Sequence, residues 1–327
     1  MAAAQDTRCL RRAVRRMLLL GRMSIIVSGI GSATVSAQDD GGERSVAEQL
    51  VDRFAPVVMV KSQDGPCDTD GEPFEPAPVE IVLDNREILL RQVGNDDPVG
   101  VIGPTAADLF DLREGWYLDF PGDALEPGCI FEQDFQRFYD GQSVTYAHIA
   151  TEADRPGFLA VQYWFFWYHN PAKNDHEGDW EFVQVLFEAD SVEEALGSEP
   201  VAIGYAQHTG GERAVWGDDR IELVGDRPVV YAAKGSHASY FESGHFLGRS
   251  SSEGFGCDDT TGPSRRLNPD VVLLPDSVAD ADDPLAWLAF QGRWGQREPS
   301  FFNGPTGPFA KDRWFEPVSW HEGLRTS

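Results

Sequence analysis

The stretch Phe158-Leu159-Ala160-Val161-Gln162-Tyr163-Trp164-Phe165-Phe166-Trp167, followed by Trp180-Glu181-Phe182-Val183-Gln184-Val185-Leu186-Phe187, decides the fold. Aromatic and β-branched residues fill both parities of each run. A strand with apolar side chains on both parities is covered on both faces. Shorter apolar runs follow at residues 201–205, 213–216 and 228–232, separated by Gly, Asp and Glu. Strands at this spacing, with turn residues between them, predict a mostly β protein: a jelly-roll-like β-sandwich with short helices and long loops.

Working outward, residues 45–54 read as a short helix, with Ser45 and Glu48 spaced as a capping box and Ala55-Pro56 as its stop. Residues 57–60 read as a strand and 64–78 as a turn-rich loop. Residues 79–83 and 87–92 are expected to form a hairpin around Asp84-Asn85. The stretch 93–145 looks irregular. Downstream, 250–266 has the low hydrophobicity of a loop, 284–290 that of a short helix, and 292–308 is a Gly-, Pro- and aromatic-rich tail expected to wrap the core. There is no internal repeat.

The chain has 327 residues, 41% of them hydrophobic, enough for a substantial core. Its formal charge is −27, from 27 basic and 54 acidic residues. Six of the basic residues (Arg8, Arg11, Arg12, Arg15, Arg16 and Arg22) and one acid (Asp6) lie within residues 1–37. The remainder therefore holds 21 basic against 53 acidic residues, net −32. Such a surface repels phosphate backbones, which argues against nucleic-acid partners. Lys is scarce beside Arg, which fits either solubility at high salt or a GC-rich coding sequence.

Residues 1–37 read as an export signal. The Arg cluster is followed by a moderately apolar run, Met17 to Val35, and by the small-residue site Val35-Ser36-Ala37. Arg15-Arg16-Met17-Leu18-Leu19 partly matches a twin-Arg signal, so Sec and twin-Arg routes both stay open. Arg22 interrupts the apolar run, so no integral membrane segment is expected once the signal is removed. A start at Met17 or Met23 is the alternative. Residues 38–46 then form a linker, and 47–320 a single domain. Outside the signal lie Cys67, Cys129 and Cys257. In an oxidising compartment the simplest arithmetic is one disulfide, Cys67–Cys129 between two Gly/Pro-rich loops, and one free thiol.

The chemically suggestive motif is His176-Glu177-Gly178-Asp179-Trp180-Glu181. On a strand Asp179 and Glu181 share a face and Trp180 points the other way, into apolar packing. Gly178 suits a turn, with His176 just before it folding over the acidic face. Two carboxylates side by side repel unless a cation lies between them. His176, Asp179 and Glu181 are therefore candidate ligands for a divalent cation, calcium or magnesium rather than zinc, with His237 and His208 as further members at strand ends. The competing readings are a salt-bridged acid pair, with Arg213 as partner, an ordinary loop histidine at 208, and a hydrogen-bonded structural histidine at 237. Trp164 to Trp167 are expected in the core.

Tyr163-Trp164-Phe165-Phe166, His176 to Glu181, Gln207-His208 with Gly210, Arg227 to Tyr231 leading into Gly235-Ser236-His237-Ala238, Gly292 to Gly295 and Gly304 to Pro308 together resemble the vacuolar protein sorting-associated protein 62 family, over about residues 50–310. That family implies no known reaction. More distantly, His176, Asp179, Trp180 and Glu181 resemble the His-x-x-Asp-Trp-Glu core of the necrosis- and ethylene-inducing peptide-like cytolysins. The likeness implies a divalent cation held on a β-sandwich and binding of glycosylated lipid head groups. This chain has Glu177-Gly178 where those proteins have Arg-His.

Three functions follow. The leading one is a secreted protein that binds a glycan or lipid head group through a divalent cation. The second is a metal-dependent hydrolase of phosphate or glycoside substrates, with Glu177 or Glu181 as general base and His237 as general acid. The third is a structural cell-surface domain. No nucleophile elbow, Walker loop, dinucleotide fingerprint or His-Glu-x-x-His helix is present, so the reading leans away from an enzyme.

Overall fold

The computed structural model describes residues 44–94, 100–250, 254–298 and 302–326, and the expected export signal lies outside them. The first part of the chain contributes α1 (Val46–Arg53), β1 (Val57–Lys61), β2 (Leu89–Gln92), β3 (Val101–Ile102), α2 (Ala106–Leu109), β4 (Trp116–Asp119) and α3 (Ile130–Phe138). The central part follows with β5 (Val144–Ala150), β6 (Phe158–Asn170), β7 (His176–Glu188), α4 (Val192–Gly197), β8 (Ala202–Gln207) and β9 (Gly210–Val215). The remainder holds β10 (Leu223–Val224), β11 (Arg227–Ala232), β12 (Ser239–Tyr240), β13 (His245–Ser250), β14 (Gly254–Asp259), β15 (Ser264–Leu267) and β16 (Asp270–Leu274). It ends with α5 (Asp312–Phe315), α6 (Pro317–Glu322) and β17 (Arg325–Thr326).

The architecture is mostly β, a β-sandwich. One sheet has the order β16-β5-β6-β7-β8-β9-β17, and the other runs β10-β11-β1-β15 with β12 added beside β11. The large sheet is antiparallel across β5 to β9, while β16 joins β5 and β17 joins β9 in parallel. A small sheet, β3-β2-β4, and the β13-β14 hairpin complete the set.

The longest pairing joins β6 and β7, from Phe158↔Glu188 to Asn170↔His176. Both strands are covered on both faces, as their composition predicts. On one face Phe166, Trp180, Trp287 and Trp294 pack ring against ring. The other face meets the second sheet, where the Tyr205 hydroxyl donates to Val229 O at 2.9 Å and the Gln207 amide to Ser239 O at 3.0 Å. Trp164 to Trp167 are at most 1% exposed and belong to the core. The described residues of 292–308 pack against it: Trp294 is fully buried, and its carbonyl lies where a Cβ on Gly178 would sit, at 1.8 Å.

Several expectations are corrected. Residues 79–83 form no strand of a hairpin. Val79–Ile81 is a 3-10 turn set by Pro78, with the amides of Val82 and Leu83 both closing on Val79 O, and β2 pairs with β3 and β4 instead. The stretch 93–145 is less irregular than its composition suggests, because α3 buries Phe131 and Phe135. The low-hydrophobicity stretch 250–266 contains β14 and β15, held by partner strands rather than by apolar content. Cys67 and Cys129 form the expected disulfide, but Cys257 is disulfide-bonded too, so no described cysteine is a free thiol.

Candidate functional site

The turn expected at Gly178 lies earlier in the chain. Strand β7 starts at His176, and Gly178 sits inside it with φ +60°, between the Trp167↔Asp179 and His169↔Glu177 pairs. His176 therefore belongs to the strand, and its Nδ1 faces Gly178 O at 2.8 Å. Asp179 and Glu181 lie on the face turned toward the second sheet, beside Trp167 and Phe165 of β6, while Trp180 packs into the aromatic cluster of the opposite face. Pairing with β8 begins only at Val183↔Tyr205. The first residues of β7 thus extend past the pairing with β8, a strand that ends at Gln207, just before His208.

Asp179 is 5% exposed and well supplied with donors. Its Oδ1 accepts from the Trp180 amide at 2.9 Å, and its Oδ2 from His237 Nδ1 at 2.9 Å and from the Asn170 amide at 3.2 Å. Burial alone would raise its pKa, but the His237 hydrogen bond and the charges of His176 and His237 outweigh it and hold the carboxyl below its usual range. The His237 ring stacks on Trp167, with centroids 4.2 Å apart. Its Nε2 has no hydrogen-bond partner and lies 3.7 Å from the fully buried Glu72 carboxylate, itself held by the Phe74 and Gly235 amides. Burial pulls the imidazole pKa down, yet the hydrogen bond to Asp179 and the nearby Glu72 carboxylate overcome it and push it up to about 9. The result is an imidazolium between two carboxylates.

Glu181 differs. It is 7% exposed, yet among the described residues its carboxylate accepts no hydrogen bond and forms no ion pair. Burial and the neighbouring Asp179 charge raise its pKa, while His208, Lys311 and Arg313 act in the opposite direction. Among the described residues its oxygens are not fully enclosed, so the exposure that Glu181 keeps reaches the carboxylate. Arg213, the alternative partner, forms no ion pair with either acid among the described residues.

His208 is fixed elsewhere. Its Nε2 donates to Asp258 Oδ2 at 2.9 Å, and Asp258 also accepts from Ser236 Oγ and Tyr240 Oη, both at 2.7 Å. Burial lowers the His208 pKa, and the Asp258 hydrogen bond and charge more than restore it. His208 and His237 both hold left-handed backbone, at φ +58° and +54°. Non-glycine residues in that region carry strain of roughly 1 kcal/mol or more, which surrounding contacts must sustain.

Of the five candidate residues, Asp179 and His237 are in direct contact, and Glu181 is next along the same face. His208 is engaged by Asp258, and His176 by backbone. These five bring no three ligand atoms within 4.8 Å of one another; among the described residues only Cys67, Cys129 and Glu132 do so, and those two sulfurs are bonded to each other. Glu72, Asp258, Lys311 and Arg313 are neighbours that no local motif announces. His237, with a side chain fully enclosed, has no path to a substrate as a general acid.

No family model matches the chain, and no curated protein does. Solved structures do. One, NLPPya in complex with glucosamine, is 16% identical, covering 70% of this chain and 73% of that one, with a TM-score of 0.35. Another, described as a toxin fold for microbial attack and plant defense, is 15% identical over 70% and 74%, with a TM-score of 0.37. A third, a necrosis- and ethylene-inducing protein from the agent of cocoa's witches' broom disease, is 13% identical over 55% and 59%, with a TM-score of 0.29. The structural neighbours are thus proteins of the necrosis- and ethylene-inducing toxin fold, at a level of likeness that assigns no activity.

Proposed function

We propose that this protein is an exported binding protein that takes the polar head of a glycan or lipid at the Glu181 end of β7, with a divalent cation shared by Glu181 and Asp179. The observation that carries the reading is the Glu181 carboxylate itself: nearly buried with its oxygens still reached by solvent, beside a second carboxylate, and without a protein donor among the described residues. Its free lone pairs match what a calcium or magnesium ion, or a ligand hydroxyl, supplies. A cation also offsets the repulsion between a strongly acidic protein and an anionic head group. When bound, the ion would supply positive charge and open coordination positions for ligand oxygens. His237 and Asn170 would keep Asp179 in place throughout. No helix among the described residues is long and apolar enough to cross a membrane.

Elemental analysis of protein purified without chelator, with the Glu181→Gln variant alongside, tests the ion. Arrays of glycans and lipids, read with and without chelator, test the ligand. Stoichiometric metal lost in the variant, and array binding lost with chelator, are expected. Metal retained equally by both proteins, or array binding indifferent to chelator and variant, overturns the reading.

A further inference from the structure

We propose that Asp258, on the β13-β14 hairpin, is the positioning residue that registers the two histidine-bearing turns of the site against each other. The inference builds on the proposed binding site, but its geometry stands apart from any ligand. Three side chains donate to this one carboxylate: His208 Nε2 at 2.9 Å, Ser236 Oγ at 2.7 Å and Tyr240 Oη at 2.7 Å. They come from separate elements. His208 occupies the turn between β8 and β9, Ser236 the loop between β11 and β12, and Tyr240 the strand that ends that loop. Ser236 directly precedes His237, whose Nδ1 reaches Asp179.

A carboxylate that only secured its own hairpin would bond to neighbouring backbone of β13. Asp258 instead spends both oxygens on side chains across 50, 22 and 18 residues of chain. Both turns it ties hold a histidine in left-handed backbone, a conformation that relaxes unless outside contacts sustain it. Charge-assisted hydrogen bonds to an ionised acceptor are the contacts suited to that task. Tyr240 is in turn fixed by stacking on Phe246, at 3.9 Å between centroids, so the tie is rigid at the hairpin end as well.

The test uses metal-free protein and the variants Asp258→Asn, Ser236→Ala and Tyr240→Phe, read by side-chain nitrogen–proton correlation spectra of the imidazoles. Asp258→Asn is expected to shift the ring signals of both His208 and His237. Ser236→Ala is expected to shift His237 and leave His208 in place, and it serves alone should Asp258→Asn not fold. Tyr240→Phe, which removes a donor from the oxygen that His208 also uses, is expected to shift His208 and leave His237 in place. The same proteins are then titrated with calcium, where Asp258→Asn is expected to weaken the apparent affinity at least tenfold. Unchanged His237 signals in Asp258→Asn and in Ser236→Ala overturn the positioning role. A wild-type protein that ignores calcium, magnesium and zinc instead overturns the binding reading, with the spectra still deciding Asp258.

Discussion

His237 Nδ1 and Asp179 Oδ2 meet at 2.9 Å across 58 residues of chain, deep in the protein, with Glu72 on the other side of the ring. The contact joins the start of β7 to the loop before β12 and gives Asp179 a counter-charge from within the chain. Glu181, two residues along the same face, has none in contact among the described residues. The site therefore holds one satisfied acid and one waiting acid, and their variants should behave differently.

Removing the satisfied acid breaks a buried ion pair and leaves the imidazolium with the more distant Glu72 alone. Asp179→Asn is expected to cost about 3–5 kcal/mol of unfolding free energy. Glu181→Gln replaces a carboxyl whose pKa burial and Asp179 push up to about 8, and should change stability by no more than about 1 kcal/mol. Urea unfolding of the two variants in chelator checks this. Equal losses would show that the two carboxylates share one environment.

Gly178 is where the strand accommodates the wrapping tail. At φ +60°, with the Trp294 carbonyl 1.8 Å from any Cβ, alanine has neither the backbone conformation nor the space. Gly178→Ala should destabilise by about 2 kcal/mol or more and loosen the 292–308 segment. Denaturation and limited proteolysis read the two effects; a neutral substitution would contradict the packing described.

The Cys67–Cys129 bond spans a sequence separation of 62 and ties the loop preceding Glu72 to the start of α3. Chain entropy alone gives a closure of that length about 4 kcal/mol. Serine at both positions should lower thermal stability accordingly. Loss of no more than a degree would mean that the loop is held by other contacts, chief among them the Glu132 carboxylate that accepts the Cys67 amide.

His321 is 4% exposed, and burial, aided by the Arg213 charge, pulls its pKa down to about 4. The unfolded chain takes up that proton near pH 6.5 and the folded protein only near pH 4. Stability from this group is therefore full above about pH 6.5 and is lost as pH falls toward about 4, a difference on the order of 3 kcal/mol. His148 and His169, also lowered by burial, add in the same direction. Melting temperatures from pH 7 to pH 4 should fall more steeply for wild type than for His321→Gln; identical slopes would refute the assignment.

Much of this was legible in the residues. Apolar side chains on both parities of 158–167 and 180–187 are a direct consequence of burial on both faces, and the alternation of Asp179, Trp180 and Glu181 follows from strand period alone. Other parts were not. Gly178 reads as a turn because positive φ and turn are usually the same thing; here a crossing backbone, Trp294, demands the glycine instead. The β14 strand carries Asp258 through Gly-Phe-Gly-Cys-Asp-Asp, whose strand character comes from its partner β13 and not from hydrophobicity. Glu72, Lys311 and Arg313 reach the site from opposite ends of the chain, and only tertiary packing brings them there.

Calorimetric titration of chelator-treated protein with calcium and then magnesium, run on wild type and on Glu181→Gln, tests the central claim most directly. Saturable binding at one ion per chain in wild type, absent in the variant, is the predicted result. No heat of binding in wild type with either ion, or the same isotherm in both proteins, would contradict it.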